Sequence, residues 1–301
     1  MFKVGKRLAM KIFNASRFVL MQVEGAGGVV PGPENISDPL DVALVERLRA
    51  VTEQATRAFE AFDYATVLQV VEESFWQFCD HYLELVKLRS YSDEDTPGRR
   101  SALAALGLGL KVYVRLLAPF QPFVTEEVWS WEFAGEGRSR SVHTAAWPTL
   151  EEFDVVPRPE VEGSFEAAVA VMTEIRGAKT VAQKSLRWPV ASLEISGSES
   201  NRAALAPVLD DIVRAGNVVD GGLTVEDALT RGPGDGIIAV KGFYYRDDTG
   251  TFLCSVLAES LPPLCGGAIL EVDGLAGEVI TADINEAAGV QWIDETVSLF
   301  G

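Results

Sequence analysis

The chain has 301 residues, 48% of them hydrophobic, and carries 26 Lys and Arg against 44 Asp and Glu. That apolar share excludes intrinsic disorder and collagen-like repeats, and the length accommodates two domains that each bury a core. No run approaches the roughly 18 uninterrupted apolar residues of a membrane span, and Cys79, Cys254 and Cys265 are too few and too dispersed for a disulfide framework.

The opening segment scatters its charges and lacks the compact apolar core of a secretory signal, so a cytoplasmic protein without membrane association is expected. The net charge of −18 argues at first against nucleic acid, whose affinity comes from clustered Lys and Arg. The acidity is uneven, however: residues 1–190 have a net charge of −5 and residues 191–301 a net charge of −13. Residues 1–24 reverse the sign, with Lys3, Lys6, Arg7, Lys11 and Arg17 against Glu24 alone. A binding site needs only such a local patch.

In chain order, residues 2–22 show helical spacing in Val4, Leu8, Ile12, Ala15 and Val19, and the Gly- and Pro-rich run 25–33 ends that helix. Asp38 and Pro39 form an N-cap with proline at the first helical position of a second helix. Asp63 caps a third, predicted to continue to about Ser90, and Ser92–Gly98 is a loop. A fourth helix is expected from Arg99 to Leu117 and a fifth from Pro122 to Trp131. Each has one apolar stripe, so residues 1–135 read as an antiparallel helical bundle. Residues 136–160 are Gly-, Ser- and Pro-rich and read as a connector. Residues 161–301 read as a smaller α/β or α+β domain. It holds a helix over 164–182, a strand over 190–196, a helix over 199–215 and short β-like runs LTVED, GIIAVKGFYY and TFLCSVLA.

No catalytic centre is expected. His81 and His143 lie far apart and away from any cysteine pair, so no metal site is predicted. No nucleophile elbow, Walker A or dinucleotide-binding glycine pattern occurs, and GPGDG at 232–236 reads as a turn. Glu126 and Glu127 diverge by about 100° on a helix and do not converge on one substrate.

The first helix is more informative. Lys3, Lys6, Arg7, Lys11, Asn14 and Arg17 fall within an arc of roughly 140° at 100° per residue. An ordinary solvated face accounts for this stripe as well as a phosphate-tracking surface does; the lack of an acidic residue on the arc weighs toward the second. On the third helix, Phe75, Trp76, Phe78 and Tyr82 read mostly as core, Cys79 as a small buried hydrophobe, and Glu84 with Lys87 as a surface pair.

Four segments, in this order, resemble the C-terminal part of valyl-tRNA synthetase, a class I aminoacyl-tRNA synthetase: GKRLAMKIFNASRFVL (Gly5–Leu20), FWQFCDHYLELVK (Phe75–Lys87), LLAPFQPFVTEEVWSW (Leu116–Trp131) and SVHTAAWP (Ser141–Pro148). A weaker fifth is EIRGAKTVAQKSLRWPV (Glu174–Val190). The HIGH-like and KMSKS-like signatures of the catalytic domain do not occur in this sequence, and Ala118 stands where many members place a histidine. Residues 226–301 match nothing in that pattern.

The resemblance implies an anticodon-binding helical bundle that recognises the anticodon stem-loop of valine-accepting tRNA, without the aminoacylation site. Lys3, Arg7, Lys11, Asn14 and Arg17 would line the RNA surface, with Lys6, Lys87, Arg99 and Lys111 as neighbours. Arg176, Lys179, Lys184 and Arg187 would form a second patch for the tRNA stem, although a solvated helix accounts for them equally well. No cofactor is expected in this chain; ATP and magnesium would belong to a catalytic synthetase domain, in the same chain or another. The competing expectation is a stand-alone synthetase-like interaction protein that no longer binds tRNA, motivated by the acidic last third. Nothing in the sequence sets an oligomeric state.

Overall fold

The computed structural model describes the backbone of residues 2–92, 94–135, 139–197 and 199–227 and the strand segments 238–246, 250–258, 268–273 and 279–284. Side chains are described for residues 5–92, 94–135, 139–191, 193–195 and 199–225. The chain divides into two units, Met1–Glu162 and Gly163–Gly301.

The first unit is a helical bundle. Helix α1 spans Phe2–Gly25 and buries Leu8, Ile12, Ala15, Val19 and Val23, so the expected stripe faces the core from Leu8 onward, the Val4 side chain lying outside the described residues. Helix α2 (Pro39–Glu60) opens as predicted, with the Asp38 carboxylate accepting from the Leu40 amide at 3.2 Å. Helix α3 (Tyr64–Gln77) is capped by Asp63, which accepts from the Thr66 amide at 3.1 Å and its hydroxyl at 2.7 Å. The single helix expected to Ser90 is interrupted by a π-turn at Phe78–Tyr82 before α4 (Leu83–Ser90). The wider turn carries a column of rings: Phe78 stacks on Phe75 at 6.3 Å and on Tyr82 at 5.7 Å, with Tyr113 5.3 Å from both Phe75 and Phe78. Helix α5 (Pro97–Leu117), capped by Thr96, is buried on almost every side from Ser101 to Leu117, so it forms the centre of the bundle. A methyl at Gly107 would lie 2.2 Å from the Val30 side chain, so the segment at 29–33 rests directly on α5. Helix α6 (Pro122–Glu132) completes the set.

Polar side chains fix the register of these helices. Asp41, fully buried in α2, accepts from Arg89 of α4 at 2.7 and 2.9 Å, from the Tyr82 hydroxyl at 2.7 Å and from the Ser101 hydroxyl of α5 at 2.6 Å. Arg89 also donates to the Gly98 carbonyl at 2.9 Å. One carboxylate thereby ties three helices and the π-turn together, and its charge is matched by a guanidinium.

Residues 139–156, which read as a linker by composition, are pinned to the bundle. Glu126 accepts from Ser141 Oγ at 2.9 Å and from the Val142 amide at 3.0 Å. Trp147 Nε1 donates to Thr56 Oγ1 at 2.9 Å, and Arg115 grips Glu152 with bonds of 2.8 and 2.7 Å. Buried Arg49 donates to the carbonyls of Phe153 and Val156, each at 2.6 Å.

The second unit mixes helix and strand. Helix α7 (Ser164–Val181) precedes strand β1 (Val190–Gly197); helices α8 (Glu199–Leu205) and α9 (Leu209–Gly216) then lead to β2 (Leu223–Asp227). The one helix expected over 199–215 is split at Pro207, which stands in a short 3-10 turn and cannot donate to the helical ladder. Strand β1 pairs in parallel with β2, Leu193 opposite Leu223, and antiparallel with β3 (Ile238–Arg246), which in turn pairs with β4 (Gly250–Ala258). The order β2-β1-β3-β4 therefore joins a parallel crossover to an antiparallel hairpin, the two expected characters in one sheet. A second, two-stranded ladder of β5 (Ala268–Asp273) and β6 (Val279–Ile284) is not among the strands read from the sequence. The expected turn at 232–236 and the side chains of Cys254 and Cys265 lie outside the described residues. Among those described, no helix is long and apolar enough to cross a membrane.

Candidate nucleic-acid interface

The outward face of α1 combines cations with apolar side chains. Lys6, Arg7, Asn14 and Arg17 are exposed, and Met10, Phe13 and Met21 are exposed beside them. Neighbouring helices frame this face with aromatic rings. The Arg7 guanidinium sits 5.6 Å from the centroid of Trp76 on α3, and Lys11 Nζ sits 5.1 Å from the same ring. Trp76 Nε1 is held by Glu72 Oε1 at 3.2 Å. Farther along, Arg17 lies 5.9 Å from the Phe13 ring, which makes an edge contact of 5.3 Å with Trp131 of α6. Phe18 makes a similar contact with Tyr91 at 6.0 Å. Cations over rings gain about 0.5–1 kcal/mol each at exposed sites, enough to bias their rotamers toward one arrangement.

The helical wheel of α1 left one feature hidden. Lys11 is ion-paired with Asp80, in the π-turn, so the basic face does hold a carboxylate, delivered by another element. Trp76, read as core, is instead a half-buried platform, while Phe75, Phe78 and Tyr82 are buried as expected. The tryptophan was legible as an aromatic but not as a partner of α1, because no local pattern registers which face of α3 meets which face of α1.

The other expected residues are less concentrated. The side chain of Lys3 lies outside the described residues. Lys87 pairs loosely with Glu84 at 3.4 Å. Arg99 Nη2 lies 3.4 Å from the Gly25 carbonyl, at the C-terminal end of α1, where a cation suits the helix dipole. Lys111 is exposed and helps line a cavity of about 620 Å³ between residues 29–33, α5 and Trp129. Beside it, burial alone would raise the Glu152 carboxyl pKa, but the bonds and charge of Arg115, with Lys111 nearby, hold it below the ordinary carboxylate range.

The second patch needs a correction. Lys179 is 1% exposed, and its ammonium donates to the carbonyls of Leu186 at 2.9 Å and Gly216 at 2.8 Å, so it is a core strut and not a surface cation. Burial, with the charge of Arg176 adding to it, lowers its pKa to about 8. The signal was present: Ala168, Met172, Ile175 and Lys179 share one spacing of four, three and four, which is the buried stripe of α7. Arg176 and Lys184 are half-buried, Lys184 lying 4.7 Å from the Trp188 ring, and Arg187 is exposed.

Among the described residues no three His, Cys, Asp or Glu side chains converge on a metal-sized point. Glu126 and Glu127 are each used structurally, the second by Trp131 Nε1 at 3.1 Å. Burial pushes the Cys79 thiol far up, leaving it inert as a nucleophile.

Comparison with known proteins follows the same line. A family model described as the anticodon-binding domain of tRNA ligase matches residues 41–195. Among curated proteins, the valine–tRNA ligase of Salinispora arenicola is 44% identical over 233 residues, covering 72% of this chain and 26% of the relative. That of Bifidobacterium longum subsp. infantis is 39% identical over 239 residues, covering 72% and 25%. The Cutibacterium acnes enzyme is 44% identical over 214 residues, covering 70% and 23%. The chain thus spans about a quarter of the length of the curated relatives it matches.

Proposed function

Because this chain belongs to the anticodon-binding-domain family of tRNA ligases, we propose that its helical unit docks the anticodon stem-loop of a tRNA, and that this tRNA is the valine acceptor. The observation that carries the proposal is the α1 face, where Lys6, Arg7, Asn14 and Arg17 stand exposed beside Phe13 and Met10. RNA loops are read by phosphate contacts together with stacking and edge contacts to splayed bases. Arg7 and Arg17, each oriented by a ring, serve the phosphates; Asn14, between them on the wheel, offers both a donor and an acceptor to a base edge. Lys3 occupies the same arc of the sequence. Arg176, Lys184 and Arg187 of the second unit are assigned to the stem backbone, without Lys179. Aminoacylation, with its ATP and magnesium, belongs to a catalytic synthetase domain in the same chain or another.

The test is an anisotropy titration with the anticodon hairpin of valine tRNA and with a hairpin of scrambled loop, across a salt series. The proposal requires tighter binding to the first. It also requires that Arg7→Ala and Arg17→Ala each weaken binding and reduce the slope of log affinity against log salt by about 0.7–0.9. Equal affinity for the two loops, or no binding at low salt, refutes it. Nuclease-resistant capture of a protein in place of RNA would favour the interaction-protein reading.

A further inference from the structure

We infer that Asp80 is a specificity-determining residue that withholds Lys11 from RNA; the inference rests on the anticodon-binding role proposed for the α1 face. Lys11 closes one edge of the basic arc, and among the described residues it is the cation there that a carboxylate already holds. Its side chain is 29% exposed, and that of Asp80 is 48% exposed. The Trp76 ring closes another side of the ammonium at 5.1 Å. Trp76 and Asp80 stand four residues apart, and Trp76 is itself fixed by Glu72, four residues earlier. One face of α3 and its π-turn therefore brings a fixed ring and an acid to α1. Arg7 shares the ring, but among the described residues it has no carboxylate partner. The two cations over one tryptophan are thus unequal: Arg7 is presented, Lys11 is neutralised.

The consequence is physical. A phosphate drawn to Lys11 must approach the Asp80 carboxylate, and like charges at that range offset most of the attraction. The ionic footprint of α1 is therefore smaller by one contact than its composition implies. Binding of unstructured or mis-seated RNA is governed by the number of phosphates neutralised, so it feels this reduction in full. A hairpin seated by base-edge and stacking contacts has its phosphates placed for it, and it feels the reduction less. Asp80 consequently widens the gap between a correctly seated loop and any other RNA.

The experiment compares the parent chain with Asp80→Asn, Lys11→Gln and the double variant on the cognate and scrambled hairpins. Lys11 is half-buried and Asp80 exposed, and a thermal melt confirms the fold of each variant. Asp80→Asn should tighten the scrambled hairpin about five-fold at 0.1 M salt and steepen its salt slope by about 0.7–0.9. The cognate hairpin should gain less, so the ratio between them falls. Lys11→Gln, which leaves the Asp80 carboxylate uncompensated on the face, should weaken the scrambled hairpin, and the double variant should bind it like the parent, without the gain. If the parent discriminates between the loops while Asp80→Asn binds the scrambled hairpin no more tightly, this inference alone is overturned. Absence of RNA binding by every form overturns it together with the proposed function.

Discussion

The buried carboxylate of Asp41 provides the sharpest test of how the bundle is held. Replacing it with alanine removes four accepted bonds of 2.6–2.9 Å and leaves the Arg89 guanidinium, 7% exposed, with the more distant Asp38 carboxylate at 3.3 Å in place of a bidentate partner. Breaking one side of a buried pair costs about 3–5 kcal/mol, chiefly because the surviving charge is stranded away from water. Against a total stability of about 5–15 kcal/mol, that is at least about a fifth of it. Tyr82→Phe, which removes one bond to the same carboxylate at 2.7 Å, should cost less, about 1.5–3 kcal/mol. In a urea titration followed by helical circular dichroism, a slope near 2 kcal/mol per molar converts the Asp41→Ala loss into a midpoint shift of roughly 2 M. Arg89→Met should be comparably damaging. The double variant should fall short of the sum by about 1–3 kcal/mol, because the second substitution removes the stranded group. A midpoint shift below about 0.5 M for Asp41→Ala, with helical content intact, would refute the claim that this network holds α2, α4 and α5 in register.

Phe62 occupies a left-handed backbone position (φ 60°) just past α2 while its side chain is 76% exposed. Phe62→Gly should therefore raise stability by about 1 kcal/mol in the same titration, the steric relief exceeding glycine's entropic cost. Gly107→Ala should destabilise, since its methyl would meet the Val30 side chain at 2.2 Å and must turn that stiff side chain or lift the 29–33 segment off α5; a lowered urea midpoint would register the cost. For Lys179, the folded pKa of about 8 lies below the ordinary 10.5, so between those values the unfolded chain holds the extra proton and stability rises with pH. Urea titrations at pH 7.5 and pH 10 should show the parent gaining on Lys179→Met, and a constant difference between them would contradict the assigned burial.

How much of this was legible depended on whether the signal was local. Helix starts were: Asp38–Pro39, Asp63 and Pro122 sit at or beside observed N-termini, because a cap and its helix are a few residues apart. The π-turn was not, since apolar spacing in FWQFCDHYL fits an uninterrupted helix and the ring that Phe78 packs against from outside, Tyr113 of α5, is distant in sequence. Nor was the role of SVHTAAWP, whose small and polar residues read as linker. Its tryptophan and its flanking Glu152 find partners in Thr56 and Arg115, far away in sequence.

The same distinction separates the residues that identify the family from those that bind. In FWQFCDHYLELVK, Phe75, Phe78 and Tyr82 are core and Tyr82 serves Asp41, while SVHTAAWP is spent on Glu126 and Thr56. The motifs that carry the resemblance largely build the scaffold, so their presence alone says little about RNA affinity. The proposal places that affinity on α1, where the wheel puts Lys6, Arg7, Asn14 and Arg17 outward and the structure exposes them. What a wheel omits is the facing helix, and here the facing helix supplies Trp76 and Asp80. The charge balance of one helix therefore overstates its pull on phosphate whenever a neighbour brings an acid to the same face, and the count that matters is of cations left without a carboxylate.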